Sequence, residues 1–342
     1  MNQQVFFKLF ACCIPVKGAS RTALYDLQRN SFEYIPNILY DLIQECKQFS
    51  AAELQLRYPA SAWQGISKFL DYLEENEYGF WTSTPECFPD MSLEWDFPGK
   101  ISNAIIEFVP EKSKYDINKA IRQLEQLRCK YLQIRLFGPC PASWVRRLLK
   151  NFRGSYFSVI DLLWPYSNEA DFAEMLNLLR EEHRIIPLTI YGCRNPEVEK
   201  HISDTDRFLL SRVHISSENF SPGKVKEKID TGSFTINTEF FTEACHFNTG
   251  LNRKICIDHQ GRIRNHVQHA GSYGDISSTP LAGVVDSLAF RKHWKICNDM
   301  IMVCKDCEHR YMCQSNSEIA EKKGQYYKKN MCTYDPYSGQ WK

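Results

Sequence analysis

The chain is short of the features that announce the common functional classes. Charge surplus is almost absent: 42 Lys and Arg against 41 Asp and Glu leave a formal net charge of +1. A phosphate-binding domain usually carries a basic excess, so nucleic acid is not an expected partner. No apolar run approaches the roughly 20 residues needed to cross a bilayer, so no membrane span is expected. The first residues, MNQQVFFKLFACCIPVKGAS, lack the basic start and small-residue cleavage site of a secretory signal, and a cytoplasmic location is the expectation. Also missing are a phosphate loop, a G-x-S-x-G elbow and an H-E-x-x-H helix. The stretch Gly271-Ser272-Tyr273-Gly274 does not open a nucleotide-binding helix. With no complete catalytic constellation, independent catalysis is not expected.

Cysteine, by contrast, is plentiful, at 14 residues. In a reducing compartment, paired spacings argue for metal ligation over disulfides. Cys304, Cys307 and Cys313 form a C-x2-C-x5-C run, and Cys332 follows close to the end. Two cysteines separated by two residues can wrap a short turn around a metal, a third returns from the next loop, and a fourth completes a thiolate shell. Four thiolates suit zinc and a [4Fe–4S] cluster alike, so spacing does not choose between them. The plainer reading is scattered thiols acting as small core hydrophobes.

At 342 residues, 43% hydrophobic and 24% charged, the chain has room for two or three cored domains. Residues 1–85 read as an extended stretch at 5–16, strands at 22–28 and 32–35 around an Arg29-Asn30-Ser31 turn, three helices and a closing strand at 78–84. Ser50 is placed to cap the second helix, and Trp63, Ile66, Phe69, Leu70 and Leu73 form the core stripe of the third. This is a winged-helix-like domain. Residues 86–98, flanked by Pro85 and ending at Pro98-Gly99, read as a linker.

From 99 to 218, strands (104–109, 131–137, 156–163, 186–191, 208–215) alternate with helices (118–129, 142–152, 168–183). The first four strands recur about every 27 residues. A βα repeat implies parallel strands joined by crossover helices, and five strands are too few for a closed eight-stranded barrel. The expected class is α/β, with an open, partial (β/α) barrel. Residues 219–342 read as loop-rich, with a hairpin around His259-Gln260-Gly261, a helical stretch at 281–294 and the cysteine loops. There a metal can substitute for a missing core.

These residues carry a resemblance. The C-terminal pattern resembles the SPASM domain of radical S-adenosylmethionine peptide maturases, in which two cysteine sets hold auxiliary [4Fe–4S] clusters. Cys304, Cys307, Cys313 and Cys332 match the set that in the family holds one whole cluster. The other set is broken: Cys245 and Gly261 match, but His266 stands where a cysteine belongs, and Ser317 replaces the cysteine after the run. Cys256 lies nearby, so a second, smaller metal site of Cys245, Cys256 and His266 is a further candidate. The family's C-x3-C-x2-C loop after the first barrel strand is absent. Here Pro110-Glu111-Lys112-Ser113-Lys114-Tyr115 stands in its place, so neither a radical-generating cluster nor S-adenosylmethionine binding is expected, and the barrel is of radical-S-adenosylmethionine type without that chemistry.

The N-terminal region resembles the winged-helix-like peptide-recognition element of such maturases, where a leader peptide adds a strand beside the third hairpin strand and packs on the third helix. The matching positions are Phe32, Glu33, Tyr34 and Ile35, with residues 63–76, and the mechanism is β-augmentation. The segments IPVKG (14–18) and YDLQR (25–29) look like those of Bacteroidetes maturases. Together the parts resemble the SPASM-domain partner of grasp-with-SPASM systems, a pseudo-radical-S-adenosylmethionine protein. The resemblance implies a non-catalytic accessory role: binding a precursor leader and presenting it to an ATP-grasp ligase. The alternative is a redox or electron-transfer maturase using one surviving cluster.

Overall fold

The computed structural model describes residues 4–195, 209, 211–225, 229–330 and 332–342. The chain divides into two compact units, one comprising Met1–Asp96, Lys228–Thr249 and Lys295–Lys342, the other Phe97–Glu227 and Gly250–Trp294. No helix among the described residues is long and apolar enough to cross a membrane.

The second unit is a mixed α/β body around a seven-stranded, mostly parallel sheet. Strands Asn103–Phe108, Tyr131–Leu136, Val159–Pro165, Ile185–Tyr191 and Val213–Ser216 lie side by side in sequence order, all parallel. Residues 208 and 210 of the expected fifth strand lie outside the described residues. Helices Ile117–Gln126, Ala142–Leu149 and Glu169–Glu181 make the crossovers, two of them capped: Asp116 accepts from Asn118 N and Asn168 from Asp171 N. Each buries one stripe, such as Ile117, Ala120, Ile121 and Leu124, against alternate strand residues such as Ala104, Ile106, Leu132 and Ile134. The other sheet face carries polar pairs, Glu107 beside Arg135 and Gln133 beside Asp161, together with a small apolar cluster of Val109, Phe137, Leu163 and Tyr191.

Periodicity gave no hint of how the hairpin at 254–264 is used. Lys254–Ile257 adds to this sheet, parallel to Asn103–Phe108 on its outer side, and Ile263–Arg264 continues it antiparallel. The stretch expected to be one helix at 281–294 is two, Leu281–Asp286 and Leu288–Arg291. Ser287 between them has an extended backbone (φ −74°, ψ 139°) and its side chain caps the second, accepting from Phe290 N.

In the first unit, the extended stretch at 5–16 is two strands. Cys13 N donates to Phe10 O at 2.8 Å, closing a turn between Phe6–Leu9 and Cys13–Lys17. Phe6–Leu9 pairs with Gly79–Thr82, while Cys13–Lys17, Thr22–Asp26 and Ser31–Ile35 form a three-stranded antiparallel sheet. Helices Asn37–Cys46, Ala51–Arg57 and Ala60–Glu75 follow, the second entered through a Ser50/Glu53 capping box. All five residues of Thr22–Asp26 are buried, because its two faces serve different cores. Leu24 packs with Leu42, Leu54, Leu70 and Leu73 under the helices. Ala23 and Tyr25 pack with Val16, Phe241 and Met312 on the other side.

Candidate peptide edge and cysteine centre

The three-stranded sheet has two edges, and hydrogen-bond parity makes them unequal. Gly18 N donates to Arg21 O and Leu27 N to Cys12 O, so the even-numbered residues of the first strand bond to the central strand. In an antiparallel ladder the intervening residues point their backbone groups outward. On the first strand these are Cys13, Pro15 and Lys17. The Cys13 N–H is spent on Phe10 O, Pro15 has none, and Lys17 O accepts from Arg310 Nη1 at 2.8 Å. That edge is the poorer template, with one of its outward N–H groups bonded and another absent. The same parity, carried through the register Leu24↔Glu33, turns Glu33 and Ile35 toward the central strand and the backbone groups of Phe32 and Tyr34 outward. No further strand pairs with Ser31–Ile35 among the described residues.

The side chains of this strand are well occupied. Ile35 is buried under the helices, and Glu33 accepts from the Tyr72 hydroxyl at 2.6 Å on the helix Ala60–Glu75. On the opposite face Phe32 stands edge-on to Tyr34 and Phe234, and the Arg21 guanidinium lies 3.4 Å from the Tyr34 ring centroid. The Tyr34 hydroxyl is 2.7 Å from His309 Nε2.

His309 belongs to the cysteine run, which packs in this same unit. The turn Cys304–Asp306 is entered through Val303 at φ +72° and ψ −47°, close to the rare γ-turn conformation and unusual for a branched residue. Cys307 N then donates to Cys304 O, and Met312 N and Cys313 N both donate to His309 O. Several bonds fasten this loop to the sheet. Ala19 N donates to Asp306 O at 2.7 Å, and the buried Tyr25 hydroxyl donates to Glu308 O at 2.8 Å. Glu308, fully buried, accepts from Arg21 Nε at 2.7 Å and from the Tyr334 hydroxyl. Gly18 is needed there, since a Cβ would sit 2.8 Å from Glu308 N and from its Oε2. Glu308, His309, Arg21, Tyr25 and Tyr334 were not singled out by sequence. The available signal was a Glu-His pair inside the C-x5-C segment.

Cys304, Cys307, Cys313 and Cys332 are all half-buried, and the fold brings them within electrostatic reach of one another. Burial pushes Cys313 up to about 11, with Lys328 lowering it and Cys304 and Cys332 raising it further. Burial also raises Cys307, opposed by the His309 N–H on its sulfur and reinforced by Glu308, Cys313 and Cys304. Lys328 is held above its ordinary value: burial acts downward, but the charges of Cys313 and Cys304 and a hydrogen bond to Cys304 outweigh it. Backbone N–H groups of His309 and Tyr334 point at the sulfurs of Cys307 and Cys332, each at 3.4 Å. Among the described residues no three of these sulfurs lie mutually within 4.8 Å, and the donors of this run that do are Cys307, Glu308 and His309. The N–H donors and the ammonium beside the sulfurs are compatible with a thiolate-bound metal, which would replace thiol protons that burial otherwise retains.

The remaining candidates are divided between the two units. Cys245 lies on the helix Thr238–His246 of the first unit, where Asp299 and Cys297 are among the charges acting on it. Cys256 and His266 belong to the second unit. There the Cys256 thiol donates to Asn265 O at 3.4 Å, and His266 stands 5.6 Å from His269, ring to ring. After the strand Asn103–Phe108, the chain makes a turn closed by Ser113, whose hydroxyl accepts from Val109 N and donates to His259 O.

No family model and no curated protein matches this chain. Among solved structures, the crystal structure of Streptococcus suis SuiB bound to precursor peptide SuiA is similar at a TM-score of 0.27 and 10% identity, covering 92% of this chain and 94% of that one. A likeness at that level bears on neither the fold nor the function argued here.

Proposed function

We propose that this protein binds the leader of a ribosomally synthesised precursor peptide by strand addition along Ser31–Ile35 and presents it to a separate ATP-grasp ligase. The observation that carries this reading is the outward parity of Phe32 and Tyr34, against a first-strand edge partly taken by Phe10 and Arg310 and short of a donor at Pro15. Two residues facing outward offer two N–H donors and two carbonyl acceptors. That is a short but sequence-tolerant template, with alternate peptide side chains left to supply specificity. The winged-helix-like reading of residues 1–85, the linker at 86–98 and the partial barrel at 99–218 rest on the pattern of the sequence, and the ligase as partner and the SPASM reading of 219–342 on the resemblance. So does the preference for a [4Fe–4S] cluster over zinc at Cys304, Cys307, Cys313 and Cys332. When bound, such a centre supplies folding free energy to a loop-rich segment.

The test is calorimetry of the full chain against leader peptides encoded beside its gene. The full chain is used because Val16, Ala23 and Tyr25 share a core with Phe241 and Met312. Binding near or below 1 μM, about −8 kcal/mol, and its loss in Y34P are expected. A folded chain that binds none of those peptides overturns the proposal.

A further inference from the structure

Cys12 and Cys13 belong to neither the open edge nor the cysteine centre, yet they stand in a donor cluster of their own. Their sulfurs are 4.0 Å apart, and Gln28 Oε1 is 3.7 Å from Cys12 Sγ. An Asp26 carboxylate oxygen lies within 4.8 Å of both sulfurs. Thiolate and oxygen ligands about 2.3 and 2.1 Å from a tetrahedral metal stand about 3.8 Å (S to S) and about 3.6 Å (S to O) apart. Two of the observed spans match these values within a few tenths of an ångström, and the Asp26 carboxylate is the third donor within reach of both sulfurs.

We propose that Cys12, Cys13, Asp26 and Gln28 form a site for a thiophilic divalent cation of the zinc class, at the base of the first hairpin, where Cys13 pairs with Asp26. The backbone holds the donors in place. Leu27 N donates to Cys12 O at 3.0 Å, Cys13 N is tied to Phe10 O, and Asp26 Oδ1 accepts from Gln28 N and Arg29 N. Cys13 and Asp26 are 4% and 1% exposed, while Cys12 and Gln28 reach solvent and provide the way in. Charge balances as a buried site requires. Two thiolates and a carboxylate are offset by one dication and by the Arg29 guanidinium paired with Asp26. Binding releases the two thiol protons to water.

The experiment uses the full chain stripped of metal and titrated with Cd2+, followed by thiolate-to-cadmium absorption and 113Cd NMR. The expected result is a two-sulfur resonance and one cadmium equivalent beyond what the four-cysteine centre takes, both lost in C12S and both retained in C304S/C307S. Retention in the latter separates this site from the other cysteine centre. In the unaltered chain, cadmium should also protect Cys12 from iodoacetamide, a readout that needs no variant. Equal cadmium binding by C12S and the unaltered chain, or no protection of Cys12, would overturn the proposal.

Discussion

The hydroxyl of Tyr34, on the outermost strand of the three-stranded sheet, lies 2.7 Å from Nε2 of His309, two residues beyond Cys307. The strand proposed to receive a peptide and the loop proposed to hold a metal therefore touch through one hydrogen bond. Burial pushes the imidazole down to about 4, with Glu308 raising and Arg21 lowering it, so the ring is neutral at physiological pH and its Nε2 depends on Tyr34 for a partner.

Y34F should accordingly destabilise the chain by about 1–3 kcal/mol, the cost of leaving a buried polar atom unsatisfied. Urea unfolding at pH 7 checks this, and an unchanged midpoint would show the contact to be incidental. The same coupling predicts that stripping metal speeds amide exchange at Glu33 and Ile35, whose N–H groups bond to the central strand, read by hydrogen–deuterium exchange of the full chain.

Proline at two neighbouring positions should separate peptide binding from folding. At Tyr34 it removes an outward N–H and leaves the ladder to Thr22–Asp26 intact. At Glu33 it removes an N–H directed at Leu24 and breaks that ladder. E33P should melt markedly lower than Y34P, with Y34F as the control for the lost tyrosine contacts. Y34P melting lower than E33P would mean the parity assignment is reversed.

Changing Cys304 and Cys307 together to serine should abolish metal binding at the cysteine run and lower the melting temperature, by about 1–2 °C for each kcal/mol lost in a chain of 342 residues. Elemental analysis after anaerobic purification, with calorimetric melting, checks both. About four irons and a brown protein before mutation would favour the cluster, and a colourless protein with zinc the alternative. Unchanged metal content in the variant would show these thiols to be bystanders.

Glu182 supplies a pH-dependent contribution of defined sign. Hydrogen bonds from Arg184, 2.7–2.8 Å long, hold its carboxyl below the ordinary 4.5 against burial, which acts upward. A lowered carboxylate stabilises the fold fully above its unfolded value and loses that contribution as pH falls through the folded one. The pair is partly exposed, so its contribution is at most about 1 kcal/mol. E182Q should lower the urea midpoint at pH 7 and make no difference at pH 2. A deficit of equal size at both pH values would point to lost packing instead of lost charge.

Local periodicity alone placed the alternating strands and helices between 103 and 191, the capping of the second helix by Ser50, and the stripe on the third. There Leu70 and Leu73 are fully buried while Trp63, Ile66 and Phe69 pack at the margin. These features are legible because side-chain repeats of 2 and 3.6 residues report which face of an element is covered. The spacing of Cys304, Cys307 and Cys313 was legible for the same local reason. Only the tertiary structure decided that Lys254–Ile257 would lie parallel to Asn103–Phe108, and that Glu308 and His309 would be buried against Arg21 and Tyr34. It also decided which sheet edge stays open, since that depends on the register of the Gly18–Arg21 turn and on where Arg310 lands. Each of these joins residues far apart in sequence, and a pattern within one segment says nothing about which distant segment will close on it. That choice is made by packing and by satisfying buried hydrogen-bonding groups, once the cost of closing the intervening loops has been met.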